Sequence, residues 1–94
     1  MRKVEKEMLE AVRERRNWSS GNTRVQVAGN ALRVFLFENH IYSDNMGCKS
    51  FSLAGWTSPT TISRLRALGV DVCIKKHTPM YDGSPIDSAK WYDI

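Results

Sequence analysis

The residues best suited to chemistry lie in a few short stretches. Arg33-Val34-Phe35-Leu36-Phe37 sets an arginine and two aromatics at alternating positions. In an extended strand Arg33, Phe35 and Phe37 share one face, and Val34 and Leu36 the other. A neighbouring strand carrying Arg24 and Gln26 can add to the first face. Aromatic rings beside cations on an open sheet stack the bases of single-stranded RNA or DNA. The same pattern also fits a central strand buried on both sides, with the rings as core. The second stretch is Thr57-Ser58-Pro59-Thr60-Thr61, at the start of a helical pattern. A helix N-terminus attracts an anion, and Ser58, Thr60 and Thr61 add hydroxyl donors, with Arg64 one turn further on. Against an anion site, Pro59 lacks an N–H, and Ser58 as N-cap occupies another donor. No glycine-rich loop or phosphate-binding lysine accompanies it. The third stretch, Lys75-Lys76-His77, has the charge to touch a phosphate backbone. It also reads as the solvated end of a strand.

Catalysis and metal binding find little support. The acidic residues Glu38, Asp44, Asp71, Asp82, Asp87 and Asp93 are scattered, several of them in turn positions. No Ser-His-Asp or Cys-His spacing stands out. Cys48 and Cys73 form no Cys-x-x-Cys pair, and His40 and His77 are far apart, so the spacing suits no zinc site. The expectation is two reduced, partly buried thiols, no metal and no cofactor. A domain this small also leaves little room for a deep pocket, so the chain reads as a non-enzymatic protein.

The elements that must hold these residues fit into one short domain. The 94 residues are 41% hydrophobic and 26% charged, the balance of a globular chain. No apolar run approaches the ~20 residues of a membrane span. The charged start, MRKVEKEMLEAVRERR, lacks the apolar core of a secretory signal, which points to a cytoplasmic location. Net charge is +4 and the pI near 9.3, mildly basic. Such a balance permits nucleic acid, an acidic protein patch or an anionic small molecule as partner.

Val4, Met8, Ala11 and Val12 recur at helical spacing, which predicts a helix from about residue 3 to 16. Lys3 with Glu7 and Lys6 with Glu10 stand four apart and can pair along it. Arg13, Arg15 and Arg16 then fall in the last turn, where cations suit the helix dipole. Asn17 to Thr23 reads as a turn, with Trp18 capping the core between helix and sheet. Strand patterns follow at 24–27, 31–37, 40–42 and 49–54, separated by turn signals at Gly29-Asn30, Glu38-Asn39 and Asp44 to Gly47. Ser58 as N-cap, Pro59 at the first helical position and Gly69 just past the end bound a second helix over 59–68. Val70, Val72 and Ile74 alternate as a strand, Asp82-Gly83 marks a hairpin, and Trp91 to Ile94 reads as an edge strand or a tail on the core. The prediction is a single α+β domain over residues 1–94, ordered α-β-β-β(-β)-α-β-β. An antiparallel meander of three to four strands plus C-terminal strands carries two helices on one face.

The strings Asn17-Trp18-Ser19-Ser20-Gly21-Asn22-Thr23, Leu53-Ala54-Gly55-Trp56 and Thr60-Thr61-x-Ser63-Arg64-Leu65 resemble a set of small early proteins of short-tailed bacteriophages. The resemblance spans most of the chain in outline and carries no catalytic residues. It implies expression in the cytoplasm of an infected bacterial host. Two roles follow. In the first the protein binds DNA or RNA, with Arg13, Arg15, Arg16, Arg24, Arg33, Arg64, Arg66, Lys75 and Lys76 neutralising phosphates. In the second it inhibits or redirects a host protein such as a nuclease, a defence effector or a polymerase. Cations gathered on one face would favour the first; dispersed cations would favour the second.

Overall fold

A computed structural model describes residues 2–94 of the chain. Helix α1 (Lys3–Glu14) buries Met8 and Ala11 completely, the positions its apolar periodicity picks out. It ends where Arg15 turns into the left-handed region at φ 52°, and its N–H bonds back to the Val12 carbonyl. The helical surface pairs expected from spacing do not form among the described residues. Glu10 and Glu14 instead meet Arg16, at 3.8 and 2.7 Å.

Five strands then run as a continuous meander: β1 (Trp18–Ser20), β2 (Thr23–Ala28), β3 (Ala31–Leu36), β4 (Asn39–Asn45) and β5 (Cys48–Ser52). Helix α2 (Pro59–Ala67) follows. Then β6 (Val72–Lys75), β7 (Thr78–Tyr81) and β8 (Ser84–Pro85) make a separate three-stranded sheet. The last strand, β9 (Trp91–Asp93), returns to pair with β5. The main sheet is therefore ordered β1-β2-β3-β4-β5-β9, antiparallel throughout. This is the α+β class and helix count that the sequence predicts. Residues 18–20, read as part of the Asn17 to Thr23 turn, instead form an edge strand, and Trp18 packs on the core.

Register explains the core. Trp18, Val25, Val34, Tyr42, Phe51 and Tyr92 are partners in turn across all six strands. Because side chains alternate, this row and its next-but-one neighbours, such as Leu32 and Leu36, all face inward. Met8 and Ala11 of α1 and Leu65 of α2 join the same buried cluster, so both helices cover this face. A pairing shift between Val34 and Phe35 accommodates Ile41 as the extra residue of a bulge, so Ile41 and Tyr42 are both buried. Replacing fully buried Phe51 by Ala would cost about 3–5 kcal/mol.

One buried polar network ties α1, β2 and α2 together. Arg64 Nη1 donates to Glu5 Oε2 at 2.8 Å, and Arg64 Nε donates to Thr23 Oγ1 at 3.0 Å. Ser63 Oγ donates to the same Glu5 oxygen, and Thr23 Oγ1 donates to Asn22 at 2.8 Å. Burial would push the Glu5 carboxyl up, but the hydrogen bonds from Ser63 and Arg64 and the Arg64 charge outweigh it and hold it below its ordinary value.

Candidate nucleic-acid interface

The side chains opposite the core row make a second row on a face that neither helix covers. Arg24 of β2 pairs with Phe35 of β3, and Phe35 with His40 of β4. The Arg24 guanidinium carbon lies 4.2 Å from the Phe35 ring centre. Phe35 and His40 stack with centroids 5.1 Å apart, and His40 meets Trp91 of β9 at 4.6 Å. β5 lies between β4 and β9 but has only Cys48, Ser50 and Ser52 on this side. Ser52, directly opposite Trp91, is buried, and so the indole reaches over β5 to the imidazole. The result is a row running from a cation through two rings to an indole that is 44% exposed.

Its electrostatics are simple. His40 Nε2 donates to the Tyr42 carbonyl at 3.0 Å, which fixes the tautomer with a hydrogen on Nε2. Burial lowers the His40 pKa, the carbonyl bond opposes this, and the Arg33 charge lowers it further. The net direction is down, so the ring is neutral at pH 7. Arg33 lies on the same face, is exposed, and has no carboxylate within ion-pair distance among the described residues. Arg24 is held by Glu38 at 2.9 Å. Gln26 and Ser43 flank Arg33 as its cross-strand partners.

A family model described as Kyanoviridae Gp96 protein matches residues 1–93. The chain belongs to that family. The family is a phage one, in keeping with the phage origin that the resemblance implied. The short-tailed class does not follow from it, because Kyanoviridae are cyanophage myoviruses. Neither the curated proteins nor the solved structures gave a match. Among the described residues no helix is long and apolar enough to cross a membrane.

The structure sorts the sequence candidates. Phe35, Arg24 and Arg33 do share the open face. Phe37 does not, because β3 ends at Leu36. Phe37 and Glu38 form the tight turn, at φ 50° and 65°, one residue earlier than the sequence signal placed it. The Phe37 ring instead stands 66% exposed beside a cavity on the other side of that turn.

The nine cations do not gather on one face. Arg13, Arg15 and Arg16 lie at the end of α1, and Lys75 and Lys76 at the β6–β7 hairpin, with Lys76 and His77 in its turn at φ 49° and 65°. Arg15 reaches the Asn30 carbonyl at 2.8 Å and Asp44 at 3.8 Å, and Arg16 is tied to Glu14. Arg66 donates to the Val72 carbonyl at 3.3 Å. Arg64 leaves the phosphate set altogether: it is 3% exposed and spent on Glu5.

The anion site at α2 fails for a related reason. Ser58 Oγ accepts the Thr61 N–H at 3.2 Å and shares a bond with Thr61 Oγ1 at 2.9 Å. Thr61 is buried, and Arg64 points away into the network. Thr60 is left half-exposed without these partners, and the run is a capped helix start. The thiols are free; Cys48 is exposed and Cys73 half-buried.

His40 and Trp91 are the members of the row that sequence reasoning missed. His40 was visible as the first residue after a turn, but the bulge set its facing. Trp91 was visible as an edge-strand residue, but nothing local said which strand it would join.

Proposed function

We propose that this phage protein is a small non-enzymatic binder of single-stranded nucleic acid, working in the cytoplasm of the infected bacterial host through its open sheet face. The observation that carries this reading is the unbroken Arg24–Phe35–His40–Trp91 row on the side away from both helices. Trp91 ends the row with an exposed indole, a surface on which a base can stack. Phe35 and His40 behind it fix its position, so little side-chain entropy is lost on binding. A neutral His40 keeps charge off the stacking surface. Arg33, free of a carboxylate partner, and Arg24, releasable from exposed Glu38, are placed to meet backbone phosphates. A duplex hides its base faces, so the row favours single strands.

The test is fluorescence anisotropy with labelled ten-nucleotide DNA and RNA, single- and double-stranded, at low salt. The reading expects measurable single-strand binding and weaker duplex binding. Equal binding to duplex, or none at ~50 mM salt, would defeat it.

A second reading, contact with a host protein, is favoured by the dispersal of the nine cations and by a further observation. Phe37 and Trp56, 66% and 60% exposed, flank a cavity of about 330 Å³ floored by Leu36, Ile41 and Leu53. Exposed apolar surface of this kind marks protein contacts. Capture of a bacterial protein that is lost in Trp56→Ala but retained in Trp91→Ala would favour this reading over the first.

A further inference from the structure

The sheet carries another site on its helix-covered side. A cleft of about 510 Å³ opens between the C-terminal half of α1, the β4–β5 hairpin and the end of α2. Arg13, Arg15 and Lys49 line it, with Asp44 as its one acid. Asp44 is already engaged: one oxygen faces Arg15 at 3.8 Å and the other accepts the Gly47 N–H at 2.9 Å. Arg13 and Lys49 have no carboxylate within ion-pair distance among the described residues, and both are exposed.

Tyr42 supplies the second, independent observation. It lines the cleft, is only 3% exposed, and makes no side-chain hydrogen bond to any described residue. No buried side-chain polar atom is left unpaired in the described structure, so the hydroxyl must keep its access to the cleft. Burial and the nearby Asp44 charge push its pKa up, so it stays protonated and able to donate.

We propose that this cleft binds a small organic phosphate monoester, its phosphate held by Arg13, Lys49 and the Tyr42 hydroxyl and its organic body lying on Leu9, Val12 and Leu68. Three cations against one acid leave a charge of +2, which matches a phosphomonoester of about −1.5 to −2 at neutral pH better than a carboxylate. The carboxyl ends of α1 and α2 lie close by and oppose an anion, so a single cation would not suffice here. The volume exceeds what inorganic phosphate fills, and the apolar floor suits a carbon skeleton. The site is independent of the aromatic row, which lies on the other side of the sheet.

The experiment is titration of the protein with phenyl phosphate, followed by amide chemical shifts. Benzyl alcohol and methyl phenyl phosphate, a monoanionic diester, are the comparison probes. Saturable shifts at Arg13, Tyr42 and Lys49 are expected with phenyl phosphate, with much weaker binding of the diester and none of the alcohol. Lys49→Ala and Arg13→Ala, both at exposed positions, should each weaken phenyl phosphate by about tenfold, and Tyr42→Phe by a few-fold. Trp91→Ala should leave phenyl phosphate unchanged while weakening single-stranded DNA, which separates this site from the nucleic-acid face. Equal binding of monoester and diester, shifts centred on Trp91, or affinity indifferent to Lys49→Ala and Tyr42→Phe would overturn the assignment.

Discussion

The indole of Trp91 reaches across an entire strand to lie 4.6 Å from the imidazole of His40, a residue 51 positions earlier in the chain. Only the small side chain of Ser52 beneath it makes this possible. The contact closes a row that begins at Arg24 and gives the open face a single chemical character. It also links the last strand to the meander, so the aromatic row is complete only when β9 is docked.

The first prediction follows from that geometry. Trp91→Ala should weaken single-strand binding by about tenfold or more, since one base–aromatic stack contributes about 1–3 kcal/mol. Phe35→Ala should weaken it less, because Phe35 supports the row from within. Both can be read from anisotropy titrations, with folding checked by circular dichroism. A larger effect from Phe37→Ala than from Trp91→Ala would place the site elsewhere.

Salt dependence offers a second, sharper prediction. If only Arg24 and Arg33 meet phosphates, log K should fall with log salt at a slope of about −1.4, from −0.7 per phosphate on a single strand. All nine cations read from the sequence would give about −6 by the same rule. A steep slope would mean that α1 and the β6–β7 hairpin also touch the strand.

The third prediction concerns acid. The His40 pKa is lowered in the fold, so the unfolded chain binds the extra proton first as pH falls. Its contribution to stability is present above about pH 6.5 and is lost as pH drops through the lower folded value. Thermal unfolding between pH 7.5 and 5 should show this loss in the wild type and less of it in His40→Gln. Glu5, also lowered, adds a separate loss that begins only below about pH 4.5.

The fourth tests the buried pair. Glu5→Leu or Arg64→Leu alone should each cost about 3–5 kcal/mol, because each strands a buried charge. Replacing both with apolar residues should cost less than the sum. Urea unfolding of the two single variants and the double variant measures the coupling. Full additivity would show that the 2.8 Å bond does not hold the two helices together.

Much of the fold was legible because it rests on local signals. The Ser58-Pro59 start and Gly69 stop of α2, the Met8 and Ala11 stripe of α1, and the Gly29-Asn30 and Asp82-Gly83 turns lie where pattern and turn chemistry put them, whereas the loop expected over Asp44 to Gly47 shrinks to Met46-Gly47 because β4 runs on to Asn45. Edge strand β1 was hidden because Ser19, Ser20 and Gly21 look like a turn, and tertiary pairing with β2 overrides that preference. The candidate site was half legible. Alternation correctly joined Arg24, Arg33 and Phe35, but extended the strand one residue too far and so included Phe37. His40 and Trp91 were set by a bulge and by a long-range strand pairing, neither of which leaves a local mark. Arg64 looked like a surface cation until Glu5, 59 residues away, proved to be its partner.

Aromatic-ring NMR during titration with a ten-nucleotide single strand tests the central claim most directly. The account predicts that ring signals of Trp91, His40 and Phe35 move upfield together and saturate, while those of Phe37 and Trp56 stay in place. Movement confined to Phe37 and Trp56, or to the arginines at the end of α1, would contradict it.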